Sequence, residues 1–104
     1  FDYYEIHEAF AGQVLCTLAA WEDPIYCRLQ LGLDAPLGAI DRGRLNVHGG
    51  SVGLGHPFAA TGARILAGAA KQLASLRQTT GKRGRTLVSV CAAGGVGAVA
   101  ILEG

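Results

Sequence analysis

Between residues 50 and 62 the chain reads Gly-Ser-Val-Gly-Leu-Gly-His-Pro-Phe-Ala-Ala-Thr-Gly, and a long stretch rich in alanine, leucine, arginine and lysine follows. Glycines clustered this tightly mark a local demand on the backbone rather than a flexible linker. Pro57 suits a first helical turn. The spacing therefore predicts a helix from about Phe58 to Leu76, with Ile65, Leu66, Ala69, Ala70 and Leu73 on its inner face. Beyond a polar turn, Thr86-Leu87-Val88-Ser89-Val90-Cys91 and Gly97-Ala98-Val99-Ala100-Ile101-Leu102 flank a second glycine cluster and read as a hairpin. The positive residues Arg77, Lys82, Arg83 and Arg85 around that polar turn offer a phosphate some attraction, and an ordinary solvated loop accounts for them as well.

Upstream, Asp2-Tyr3-Tyr4-Glu5-Ile6 is strand-like. From Glu8 to about Ala20 the period changes, with Phe10, Val14, Leu15, Leu18 and Trp21 at helical spacing. Residues 22–44 are irregular around a short helix near Ile25 to Leu31, and Arg44 to Val47 is a further strand candidate. The sum is strand–helix–strand–helix–strand–strand. That order predicts an α/β fold, a mixed and mostly buried sheet with helices packed on it.

At 104 residues the chain is one modest domain or part of a larger one. Half of it is apolar and only 16% is charged, which excludes a disordered segment. A net charge of +1 gives no electrostatic basis for binding nucleic acid or an anionic membrane. No apolar run approaches the ~20 residues that span a bilayer. Phe1-Asp2-Tyr3-Tyr4-Glu5 lacks the basic and apolar regions of a signal peptide. With no methionine anywhere, the chain is expected to be the C-terminal piece of something bigger. Cysteines at 16, 27 and 91 are odd in number and irregularly spaced, so a reducing compartment is expected, with no disulfide framework and no zinc site.

Cys91 enters the second glycine turn, Cys91-Ala92-Ala93-Gly94-Gly95-Val96-Gly97. A thiol at a strand end can face a cleft while neighbouring N–H groups stabilise a thiolate or an oxyanion; a strand cysteine is also a common packing residue. His56, held before Pro57 near a helix start, is suited as a neutral imidazole to accept a thiol proton or to donate an N–H to a carbonyl. Its alternative role is to cap backbone. His7, beside Glu8, is a third polar candidate or a helix cap, and His48 is a weaker one. The glycine loop lacks a P-loop lysine and no Gly-x-Gly-x-x-Gly opens the helix, which argues against a nucleotide cradle.

Together these stretches resemble the C-terminal portion of the thiolase (acetyl-CoA acyltransferase) family. His7-Glu8-Ala9-Phe10 is similar to the family's Asn-Glu-Ala-Phe motif. Asn46 to Pro57 with Thr61-Gly62-Ala63-Arg64 resembles its Gly-His-Pro segment, and Cys91 to Gly97 its final cysteine loop. The resemblance implies that residues 1–104 form a thiolase-like C-terminal half-domain, the nucleophile domain lying outside this chain. It implies thiolytic cleavage of 3-ketoacyl-CoA in fatty-acid β-oxidation, with coenzyme A as co-substrate and no permanently bound cofactor or metal. On this resemblance His56 would activate the nucleophilic cysteine and help hold the thioester oxygen. Cys91 would be the acid/base thiol, the Ala93 N–H one oxyanion donor, and Phe10 a wall of the pantetheine or acyl channel.

His7 stands where the family carries an asparagine that fixes an oxyanion-hole water. His-Glu-Ala-Phe looks more like the β-subunits of fatty-acid-oxidation trifunctional enzymes, which favours degradation. Implied partners are acyl-CoA, the N-terminal half of the same polypeptide, further copies in a homo-oligomer and a hydratase/dehydrogenase α-subunit. The implied location is a bacterial cytoplasm, or alternatively the mitochondrial matrix. This piece alone is expected not to turn over, since Cys16 and Cys27 match no nucleophile motif. Two other readings remain: a condensing ketoacyl synthase, whose second histidine would replace Cys91, and a non-catalytic module that binds acyl-CoA.

Overall fold

A computed structural model describes all 104 residues. The elements run β1 (Tyr3–Ile6), α1 (Ala11–Glu22), α2 (Pro24–Leu31), a 3₁₀ turn (Arg42–Arg44), α3 (Ser51–Leu54), α4 (Thr61–Thr80), β2 (Arg85–Ala92) and β3 (Val96–Glu103). The sheet order is β1-β2-β3, with β1 parallel to β2 and β2 antiparallel to β3. A mixed sheet with helices on it is the α/β architecture expected. No helix is long and apolar enough to cross a membrane.

The two long helices lie against different parts of the sheet. Val14 and Leu18 of α1 pack on Ile6 of β1, joined by Trp21, Ile40 and Leu45. Ile65 and Ala69 of α4 pack on Val88 of β2, joined by Val90, Ala100 and Leu102. Alternate residues of a strand point to opposite faces, so these clusters place α1 and α4 on opposite sides. The connection from α1 into α2 is sharp because Asp23 ends one helix and caps the next. Its carboxylate accepts from the N–H groups of Ile25 and Tyr26, with Pro24 in the first turn.

Three expectations need correction. The strand foreseen at 44–47 is reduced to one bridge, Tyr4 to Leu45. Asn46 (φ 47°) turns away, and its side-chain amide takes the place of a ladder partner for Ile6. The helix foreseen from Phe58 begins at Thr61, because Ala59 holds a left-handed φ of 66° that no helix interior accepts. Pro57 therefore precedes the helix and does not open it. The sheet is also less buried than expected: β3 is open to solvent along most of its length, with Val99 69% and Ile101 57% exposed. The α1 layer reaches β1 and α4 takes the other face, so those two side chains have nothing of this chain above them.

Glu5 is buried on β1 and its carboxyl pKa is raised to about 6. Desolvation is the largest cause, with the Glu8 charge adding to it and Arg64 opposing it. Below the ordinary 4.5 the group is protonated in folded and unfolded chains alike and costs nothing. As pH rises through 4.5 to about 6 the unfolded chain ionises first and stability falls. Glu5→Gln is therefore expected to add about 2 kcal/mol at pH 8 and nothing near pH 4. Melting temperatures of both proteins across this range check it; a gain independent of pH would contradict it.

Candidate active site

The hairpin delivers Cys91. Cys91 pairs with Gly97 on β3, and the turn closes through Gly94 and Gly95 at φ 86° and 74°, a region that side chains beyond glycine rarely adopt. The thiol is half-buried and its proton points toward Gln13 Oε1 on α1, 3.8 Å away. Ala93 sits in the turn, and its N–H carries no hydrogen bond to another group of the chain.

His56 arrives from the other side. Its Nδ1 lies 2.7 Å from Thr61 Oγ1, the hydroxyl at the first residue of α4, which also reaches the Pro57 carbonyl at 3.2 Å. The ring lies between two others: His7 at 4.4 Å between centroids and Phe58 at 4.8 Å. His56, Phe58, Ala59, Cys91, Ala92 and Ala93 together line one cleft of about 290 Å³. The fold thus brings the imidazole and the sulfur to a single hollow. A larger hollow of about 550 Å³ lies between α4 and the end of β3, but it holds no thiol or imidazole.

His7 is buried behind this cleft, with Nδ1 3.1 Å from Ser51 Oγ on α3. It caps no helix, since α1 starts after Phe10 with no side-chain cap. Burial is the main cause that lowers its pKa, with the neighbouring His56 and Arg64 charges acting the same way against Glu8. The ring is therefore neutral at physiological pH. Glu8 fastens the glycine loop: its carboxylate accepts from Val52 N–H at 3.1 Å and from Asn46 Nδ2 at 2.8 Å. That contact requires Gly50, because a Cβ there would collide with the Glu8 carboxyl group.

Phe10 is not part of this assembly. It is 76% exposed at the head of α1 and does not line the His56–Cys91 cleft. His48 is exposed and makes no hydrogen bond. Cys27 is buried and donates weakly to backbone carbonyls, whereas Cys16 is exposed. No group of three His, Cys, Asp or Glu side chains is placed to hold a metal ion.

A glycine-bounded thiol and a hydroxyl-anchored imidazole share one cleft. The model of the family described as thiolase, C-terminal domain, matches residues 1–104. This chain belongs to the thiolase family. Over 99 residues, 95% of its length, it is 48% identical to the 3-ketoacyl-CoA thiolase of Pectobacterium carotovorum subsp. carotovorum (strain PC1). Over the same length it is 44% identical to the 3-ketoacyl-CoA thiolase of Yersinia pestis (strain Pestoides F). The match covers 22% of each relative, so this thiolase chain spans about a fifth of the proteins it resembles.

Ser51, Thr61 and Arg64, read only as part of a motif, and Gln13 are the site residues to which sequence reasoning assigned no role. Thr61 alone had an available signal, a hydroxyl within one to two turns of the histidine. The others reach their partners across long separations in sequence.

Proposed function

We propose that the full-length protein containing this thiolase chain cleaves 3-ketoacyl-CoA with coenzyme A, yielding acetyl-CoA and an acyl-CoA shortened by two carbons. The observation that carries this reading is the shared cleft of His56 and Cys91. A cysteine outside this chain attacks the 3-keto carbon, and His56 takes its proton. The C2–C3 bond breaks, and its electron pair passes to C2 and the thioester carbonyl. Cys91 S–H protonates C2, releasing acetyl-CoA. Coenzyme A then attacks the acyl-enzyme and gives its proton back to the site as the cysteine leaves.

Within the same reading, the Ala93 N–H and the His7 ring act as donors to carbonyl oxygens that gain charge, and Phe10 contributes to the acyl channel only with elements outside this chain. The partners are the N-terminal half of the polypeptide and further copies of it, with a hydratase/dehydrogenase subunit supplying the 3-ketoacyl substrate. Three free cysteines fit a reducing, cytoplasmic setting.

The test is an assay of the full-length protein with 3-ketoacyl-CoA and coenzyme A. Equimolar acetyl-CoA and shortened acyl-CoA are expected. Absence of both products, or carbon–carbon bond formation from malonyl thioesters in their place, would overturn the assignment.

A further inference from the structure

We infer that the two stacked histidines are locked in opposite tautomers: Thr61 holds His56 as Nδ1–H with a bare Nε2, while Ser51 and Arg64 hold His7 as Nε2–H with a bare Nδ1. The argument rests on which groups can only give and which can only take. Thr61 Oγ1 touches two groups, His56 Nδ1 at 2.7 Å and the Pro57 carbonyl at 3.2 Å. A carbonyl only accepts, and a hydroxyl has one proton. Both contacts are made together only when Thr61 donates to Pro57 and accepts from His56. The imidazole proton is then on Nδ1.

The other ring has the reverse arrangement. Ser51 Oγ touches His7 Nδ1 at 3.1 Å and Arg64 Nη2 at 3.4 Å. A guanidinium only donates, so Ser51 accepts from Arg64 and its own proton goes to His7 Nδ1. The opposite tautomer would fill both lone pairs of the serine oxygen with donors and leave the serine proton without an acceptor. Ser51 and His7 are both buried, and an unmade buried hydrogen bond costs roughly 1–3 kcal/mol. His7 is neutral for the reasons already given, so it has a single ring proton to place.

In both rings Nδ1 is the tethered nitrogen and Nε2 has no partner in the chain. The site therefore presents one bare Nε2, on His56, beside one Nε2–H, on His7, with ring centroids 4.4 Å apart. The first can take a thiol proton and the second can donate to a carbonyl oxygen. Thr61, Ser51 and Arg64 act through these rings and are positioning residues. This division of labour rests on the proposed thiolase reaction, but the tautomers themselves do not.

Neutron diffraction from deuterium-exchanged crystals of the full-length protein near pH 8 tests the assignment without any reaction. A deuteron on Nδ1 of His56 and on Nε2 of His7 is expected. Deuterons on the same-named nitrogen of both rings, or on both nitrogens of either, would overturn it even in an active enzyme. A protein with these deuterons but no thiolysis would leave the inference standing and defeat the proposed function. Kinetics supply the second arm: Thr61→Val is expected to lower kcat by about 10–100-fold, the scale of a misaligned proton acceptor, while Thr61→Ser stays within about 3-fold of the unmodified protein. Equal losses in both variants, or none in either, would reject the role of the hydroxyl.

Discussion

In the full-length protein, Cys91→Ala is expected to reduce thiolysis by ~10²–10⁴-fold, the usual worth of a positioned acid or base. Breaking the C2–C3 bond leaves an electron pair on C2, which only a nearby proton can quench. Cys91 has the right attributes: it is half-buried, it is the penultimate residue of β2 before a three-residue turn, and it lines the cleft with His56. The substitution removes the proton donor with little change in volume, and neither Gly94 nor Gly95 has to move. The turn and the sheet register should survive, so circular dichroism and melting temperature should stay nearly unchanged while turnover collapses. Acylation of the nucleophilic cysteine by a simple acyl-CoA needs no C2 protonation and should persist. Near-normal thiolysis by Cys91→Ala would remove Cys91 from the mechanism.

How much of this was legible follows from what each residue's signal is. Helix α4 and the β2–β3 hairpin were readable because their apolar residues repeat at one period over many positions and glycines bound them. His56 and Cys91 stood out because glycine crowds around them. Helix α3 was hidden: its four residues include Gly53 and follow Gly50, so propensity argues against it, and the Glu8 carboxylate on Val52 N–H secures its first turn. The Ser51 hydroxyl was invisible for another reason. Whether a serine meets a ring 44 positions away depends on the crossover from β1 to α3, and no local pattern encodes that distance. The open face of β3 shows the same limit, since alternation records that a residue is apolar, not which element covers it.

The strand that failed to form at 44–47 identifies the most vulnerable polar contact. Asn46 is left-handed at φ 47°, and its side-chain amide acts as a substitute peptide unit for Ile6. Oδ1 accepts from Ile6 N–H and Nδ2 donates to Ile6 C=O, each at 2.9 Å, while Nδ2 also donates to Glu8 Oε1. Asn46→Asp preserves shape and the tolerance for positive φ, yet removes both N–H donors. A carboxylate oxygen then faces the Ile6 carbonyl and the Glu8 carboxylate. Ionised, it is repelled by both; protonated, it satisfies only one of them. A loss of about 3 kcal/mol at pH 8 is expected, larger than for Asn46→Ala, which leaves the same groups unpaired without the repulsion. Lowering the pH should bring the two variants together as the new carboxyl takes up a proton. The effect should extend to the site, because Glu8 holds the glycine loop that leads to His56. Melting curves of both variants at pH 5 and 8 decide it: an aspartate as stable as the alanine at pH 8 would show that the amide's donors carry no weight there.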